Sequence, residues 1–190
     1  IESHRQRTRL VGENLGTVPS EVNESMKRHA LREMFVVQFQ ERPDPKAALC
    51  PPPALSVSSL NTHDTPTFAA HWHRDDLVDS VRLGLLPRKQ LPSAKKQREK
   101  LKAALVKFLK MQGLLKKSKP PLPEILRAVL DWLKTSESEI VLISLEDLWL
   151  EKRPQNVPGT CNERPNWRHK AKLPLEQIFQ NAKLRQLIPY

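Results

Sequence analysis

Along the chain, short apolar runs alternate with segments whose apolar residues recur at helical spacing. Thr8-Arg9-Leu10-Val11-Gly12 has a strand pattern that leads into Glu13. After Gly16-Thr17-Val18-Pro19, Ser20 is a suitable N-cap, and Val22, Met26 and Ala30 form the stripe of a helix reaching about residue 31. Met34 to Phe39 is a continuous β-type run, as expected of a strand buried on both faces. A proline-rich loop follows, and then Leu55 to Leu60, a third strand candidate. Thr65 is placed to cap a helix with Pro66 in its first turn, where a missing N–H costs least. Helices are expected over about 75–83, 93–112 and 124–134, with Gly84 stopping the first and Pro120 to Pro123 as a hinge. Glu139 to Leu145 is the last strand, and a helix from Leu175 to about Leu187 closes the chain.

Strand–helix–strand alternation is the signature of a parallel sheet with right-handed crossovers. The strand ends fall near residues 12, 39, 60 and 145, so the intervals are 27, 21 and 85 residues. The first two suit one crossover each. The third holds the extra helices, a helical, lysine-rich insertion over 84–137 before the last strand. Four such strands suit an α/β open sheet or half of a (β/α)8 barrel. A whole barrel typically needs about 250 residues, more than the 190 present.

Charge sharpens this picture without changing it. The formal net charge is +11, and residues 95–119 hold ten lysines and arginines against one acid, Glu99. The same segment carries Leu101, Leu105, Phe108, Leu109 and Leu115 at helical spacing, so it predicts an amphipathic helix with a lysine-rich face. One alternative is a basic nucleic-acid-binding fragment without enzymatic activity. Lysine predominance and the lack of interleaved aromatic stacking residues of the kind that hold single strands, Phe108 belonging to the apolar stripe, favour a solvated face instead. No apolar run approaches a membrane span, so no membrane partner is expected. The two cysteines, Cys50 and Cys161, are far apart and lack metal-ligand spacing, which suits a reduced, cytoplasmic setting.

In parallel α/β architectures the site lies at the carboxyl ends of the strands. Here those ends carry Glu13-Asn14, His63-Asp64 and Glu146-Asp147, with Phe39 as a possible ring platform. Lone acids at such positions are commonly helix caps or loop hydrogen-bonders. Several acids on one rim suit glycosidic bond chemistry, which needs a proton-donating acid and a carboxylate at the anomeric carbon.

These residues also carry a family resemblance. Val11-Gly12-Glu13-Asn14-Leu15-Gly16-Thr17-Val18-Pro19 resembles the acid/base loop of the amylomaltases, 4-α-glucanotransferases of the α-amylase clan. Asn61-Thr62-His63-Asp64-Thr65-Pro66-Thr67 resembles their third-acid motif. Gln155-Asn156-Val157-Pro158-Gly159-Thr160, with Pro165-Asn166-Trp167-Arg168, resembles their C-terminal signature. The resemblance implies that the four strands are strands five to eight of a (β/α)8 barrel. It implies a retaining transfer of an α-1,4-glucan segment (from maltodextrin, starch or glycogen) to the 4-hydroxyl of an acceptor. It assigns Glu13 as general acid/base and Asp64 as the third carboxylate. It makes His63, Phe39 and Asn156 substrate-binding, and it calls for no metal or organic cofactor. Asn14 departs from the family, which often has Asp there. The family's nucleophilic Asp would lie upstream of residue 8. The chain starts with Ile1 and not with Met, so it is expected to be a C-terminal portion, inactive in isolation. His71 and His73 suggest surface or packing roles, and Trp132, Trp149 and Phe108 core roles.

Overall fold

The computed structural model describes residues 1–188. Four parallel strands, β1 (Val11–Gly12), β2 (Arg32–Val36), β3 (Ser56–Ser59) and β4 (Ile140–Leu142), form one sheet in the order β1-β2-β3-β4. The parallel α/β expectation is borne out. Short helices α1 (Glu2–Arg5) and α3 (Val37–Gln40) flank β1 and β2, and α2 (Ser20–Arg28) makes the first crossover. Between β3 and β4 come α4 (Phe68–His73), α5 (Asp75–Arg82), α6 (Leu91–Met111) and α7 (Leu122–Lys134). After β4 come α8 (Leu145–Leu148), α9 (Leu175–Gln180) and α10 (Ala182–Arg185).

Strand register divides the sheet into two faces. Phe35 pairs with Ser58, and Ser58 with Val141. This face looks onto the main core, where Phe35 and Leu60 meet Leu105, Phe108 and Leu109 of α6 and Ile125, Val129 and Trp132 of α7. Phe108 and Trp132 meet edge to face at 5.9 Å, as their expected core role requires. The opposite face carries Val11, Met34, Val57 and Leu142. Its outer members, Val11 and Leu142, are 49% and 52% exposed.

The amino ends of the strands are lashed by polar groups. Arg32 grips Glu139 with a two-pronged hydrogen bond (2.6 and 3.2 Å), and Arg9 reaches the same carboxylate at 2.6 Å. The Arg32 guanidinium holds the Glu139 carboxyl below the usual range. Buried Ser56 and Ser58 both share hydrogen bonds with Ser138, at 2.9 and 2.7 Å.

Several boundaries differ from expectation. β2 stops at Val36, because Val37 turns inward to the core within α3, and Phe39 is thereby thrown outward. The cap of α4 is Thr67, whose hydroxyl accepts the Ala70 N–H, and not Thr65. Thr65 is occupied in a tight turn, where its hydroxyl accepts the Thr62 N–H at 2.8 Å. β4 keeps three of the expected residues, since Leu145 already begins α8. The expected closing helix is broken at Asn181 into α9 and α10.

Candidate active site

Glu13 directly follows β1. Gly12 faces α2, because a Cβ there would lie 2.7 Å from the Met26 side chain, so strand alternation turns Glu13 toward the opposite face, with Val11. Glu13 is exposed and makes no hydrogen bond or ion pair among the described residues. Asn14 explains its own departure from the family pattern. Its side chain donates to Glu33 Oε2 at 3.1 Å and accepts the Met34 N–H at 2.9 Å, tying the β1 end to β2. An Asp here would set one carboxylate against another. Gly16 then takes φ +75°, which a glycine adopts freely, to turn the chain toward α2.

Asp64 lies just past β3 in the Thr62–Thr65 turn, which is closed by Thr65 N–H to Thr62 C=O. Asn156 Nδ2 donates to Asp64 Oδ1 at 2.7 Å across 92 residues of sequence. His63 Nε2 stands 3.5 Å from the same oxygen. Asp64 Oδ2 accepts no hydrogen bond among the described residues. So three predicted residues, His63, Asp64 and Asn156, meet in one cluster. Glu13 stands on the same rim of the sheet, two strands away, without touching it. Phe39 is 55% exposed and lines a separate cleft of about 520 Å³ with Asn14, Leu15 and Gly16. A further cavity of about 870 Å³, between α7, α8 and α10, is lined by none of the predicted site residues.

Sequence reasoning missed the part played by Asp147. It is 0% exposed, accepts the Asn61 amide at 2.7 Å and the Phe68 backbone N–H at 2.8 Å, and so pins both ends of the loop that carries His63 and Asp64. Burial pushes its carboxyl up to about 6; the two hydrogen bonds oppose that rise, and the nearby Glu146 charge adds to it. Thr67 Oγ1 adds a bond to the Glu151 carbonyl at 2.5 Å. Acidity at a strand end was visible in the sequence, but which of Glu146 and Asp147 turns inward was not. His71 is a packing residue, as expected, with its Nε2 2.8 Å from Glu41. Among the described residues no group of three acids, histidines or cysteines is placed to hold a metal ion.

With this geometry in view, the chain can be set beside known proteins. A profile of the 4-alpha-glucanotransferase family matches residues 1–175. The chain belongs to the 4-alpha-glucanotransferase family. It is 32% identical over 196 residues to a 4-alpha-glucanotransferase of Haemophilus influenzae, covering 97% of this chain and 28% of that protein. A 4-alpha-glucanotransferase of Mycobacterium tuberculosis is 33% identical over 177 residues, covering 88% of this chain and 24% of the relative. The chain therefore spans about a quarter of the length of these relatives. Amylomaltase from Corynebacterium glutamicum superposes with a TM-score of 0.77 at 20% identity, over 98% of this chain and 29% of that one. Amylomaltase from Streptococcus agalactiae, solved in complex with acarbose, gives 0.62 at 15% identity over 93% of this chain and 30% of that one. Both similarities speak for the α/β fold. None of the comparisons supports a nucleic-acid-binding reading. On the lysine-rich helix α6, Arg98 is taken up by Asp76 and Lys102 by Glu99 and the Trp72 ring.

Proposed function

We propose that the chain supplies one side of the active site of a 4-alpha-glucanotransferase, which moves a segment of an α-1,4-glucan onto the 4-hydroxyl of an acceptor glucan or glucose. The observation that carries this is the Asp64–Asn156–His63 cluster, on the same strand-end rim as the unpaired Glu13. Family membership supports the same reaction. Glu13 protonates the glycosidic oxygen as the bond to the anomeric carbon breaks, and later takes the proton from the incoming hydroxyl. Asn156 and His63 hold Oδ1 of Asp64, so Oδ2 is available to a sugar hydroxyl. The negative charge of Asp64 favours the ring as it gains oxocarbenium character. The nucleophile is a carboxylate outside residues 1–190, and the covalent intermediate forms on it. Phe39 is a second, more distant contact for the glucan.

The fold reading extends in the same way. The sheet is half of a (β/α)8 barrel, strands five to eight, with residues 84–137 as a helical insertion. The exposed Val11 and Leu142 support this, because a closed barrel would place that face inside. Two unbridged cysteines suit a cytoplasmic setting. The test is Glu13→Gln in the complete polypeptide that carries this segment, assayed by disproportionation of maltotriose. Loss of a general acid/base lowers turnover by about 10²- to 10⁴-fold. Near-normal turnover would end the assignment.

A further inference from the structure

Trp167 is 60% exposed and has a left-handed backbone, φ +61°. Bulky residues rarely adopt that conformation, and it persists only where the surroundings over-determine it. They do so here. The Trp167 N–H donates to the Gln155 carbonyl at 2.7 Å. The Gln155 side-chain amide donates to Glu146 Oε1 at 3.1 Å and to the His169 carbonyl at 3.3 Å. The preceding Asn166 accepts the Val157 N–H at 3.3 Å and donates to Thr160 Oγ1 at 2.9 Å. The backbone is thus fixed on both sides of a residue whose ring joins neither hydrophobic core.

The other tryptophans are employed differently. Trp132 is buried against Phe108, Trp72 lies between Phe68 and Lys102, and Trp149 packs beside Leu148 and Ile178. The ring partner of Trp167 is His63, with centroids 5.4 Å apart and planes inclined by 46°. His63 in turn stands 3.5 Å from Asp64. An indole held open at a conformational cost, one side chain away from a carboxylate, is displayed for a ligand. A neutral pyranose suits it, because the C–H face of the sugar stacks on the ring while the hydroxyls reach the neighbouring polar groups.

We propose that Trp167 is a stacking platform for a glucosyl unit of the α-1,4-glucan, adjoining the unit held by Asp64 and His63. This rests on the transferase reading above. The experiment measures KM and kcat for maltoheptaose, together with Tm, for Trp167→Gly and Trp167→Phe in the complete polypeptide that carries this segment. Trp167→Gly is expected to raise KM roughly tenfold with kcat within about twofold, since stacking is lost from ground and transition states alike. Its Tm should hold or rise, because glycine accepts the left-handed backbone. Trp167→Phe should recover most of the KM. An unchanged KM in Trp167→Gly, with or without a lowered Tm or an altered oligomeric state, overturns the platform while wild-type activity leaves the transferase reading standing. A wild-type protein that transfers no glucan overturns both.

Discussion

The two ends of the sheet treat polar groups in opposite ways. At the amino ends, Arg9, Arg32 and Glu139 satisfy one another, and Ser56, Ser58 and Ser138 do the same beneath β3 and β4. At the carboxyl ends, among the described residues, Glu13 has no partner and Asp64 keeps one oxygen open. Paired groups hold strands together, whereas open ones are available to something else. Asp147 belongs to neither end's habit. It sits at the carboxyl end yet is fully committed, and it fixes the loop whose tip carries the open carboxylate.

The largest expected effect tests whether the open end is half of a site. The 190-residue chain alone should show no disproportionation of maltotriose by product chromatography, because the proposed nucleophile lies outside it. Measurable turnover would break the comparison at once.

Next comes Asp147. Asp147→Ala leaves the Asn61 amide and the Phe68 N–H buried without an acceptor and should cost about 3 kcal/mol in urea unfolding. Asp147→Asn should cost under about 1 kcal/mol at pH 7, since Asn61 can turn its amide to match and the buried charge is gone. The sign with pH follows from the raised carboxyl. Its folded value of about 6 exceeds the ordinary 3.8, so protonation favours the folded state. That stability is complete below about pH 4 and is lost as pH rises through 6. Wild type minus Asp147→Asn should therefore fall by roughly 3 kcal/mol across that window. A flat difference would deny Asp147 its buried charge.

The smallest effects sharpen the contrast between the two ends. Ser138→Ala should lower stability by about 1–2 kcal/mol without moving KM. Asn156→Ala should do the reverse, lowering kcat/KM of the complete polypeptide roughly tenfold with little change in Tm. Equal behaviour of the two variants would erase the distinction.

Much of this was legible in the sequence, for physical reasons. The apolar runs marked the four strands of a parallel sheet, and the stripe from Leu101 to Leu109 marked α6. The motif residues His63, Asp64 and Asn156 do meet. What stayed hidden depended on partners distant in sequence. Val37 looks like any strand valine until the core claims it, and Phe39 then points away. Thr65 reads as the cap until the Thr62 turn uses its hydroxyl and Thr67 takes the role. Asp147 finds its acceptor role only through residues 79 and 86 positions earlier.

The Arg9–Glu139 contact also reaches across the whole sheet. Arg9 enters β1 and Glu139 enters β4, three interstrand steps apart, roughly 14 Å on a flat sheet. Two side chains spanning that gap would have to be fully extended. Their 2.6 Å contact, with Arg32 on the same carboxylate, joins the approaches to the two outer strands directly, over the two strands that lie between them.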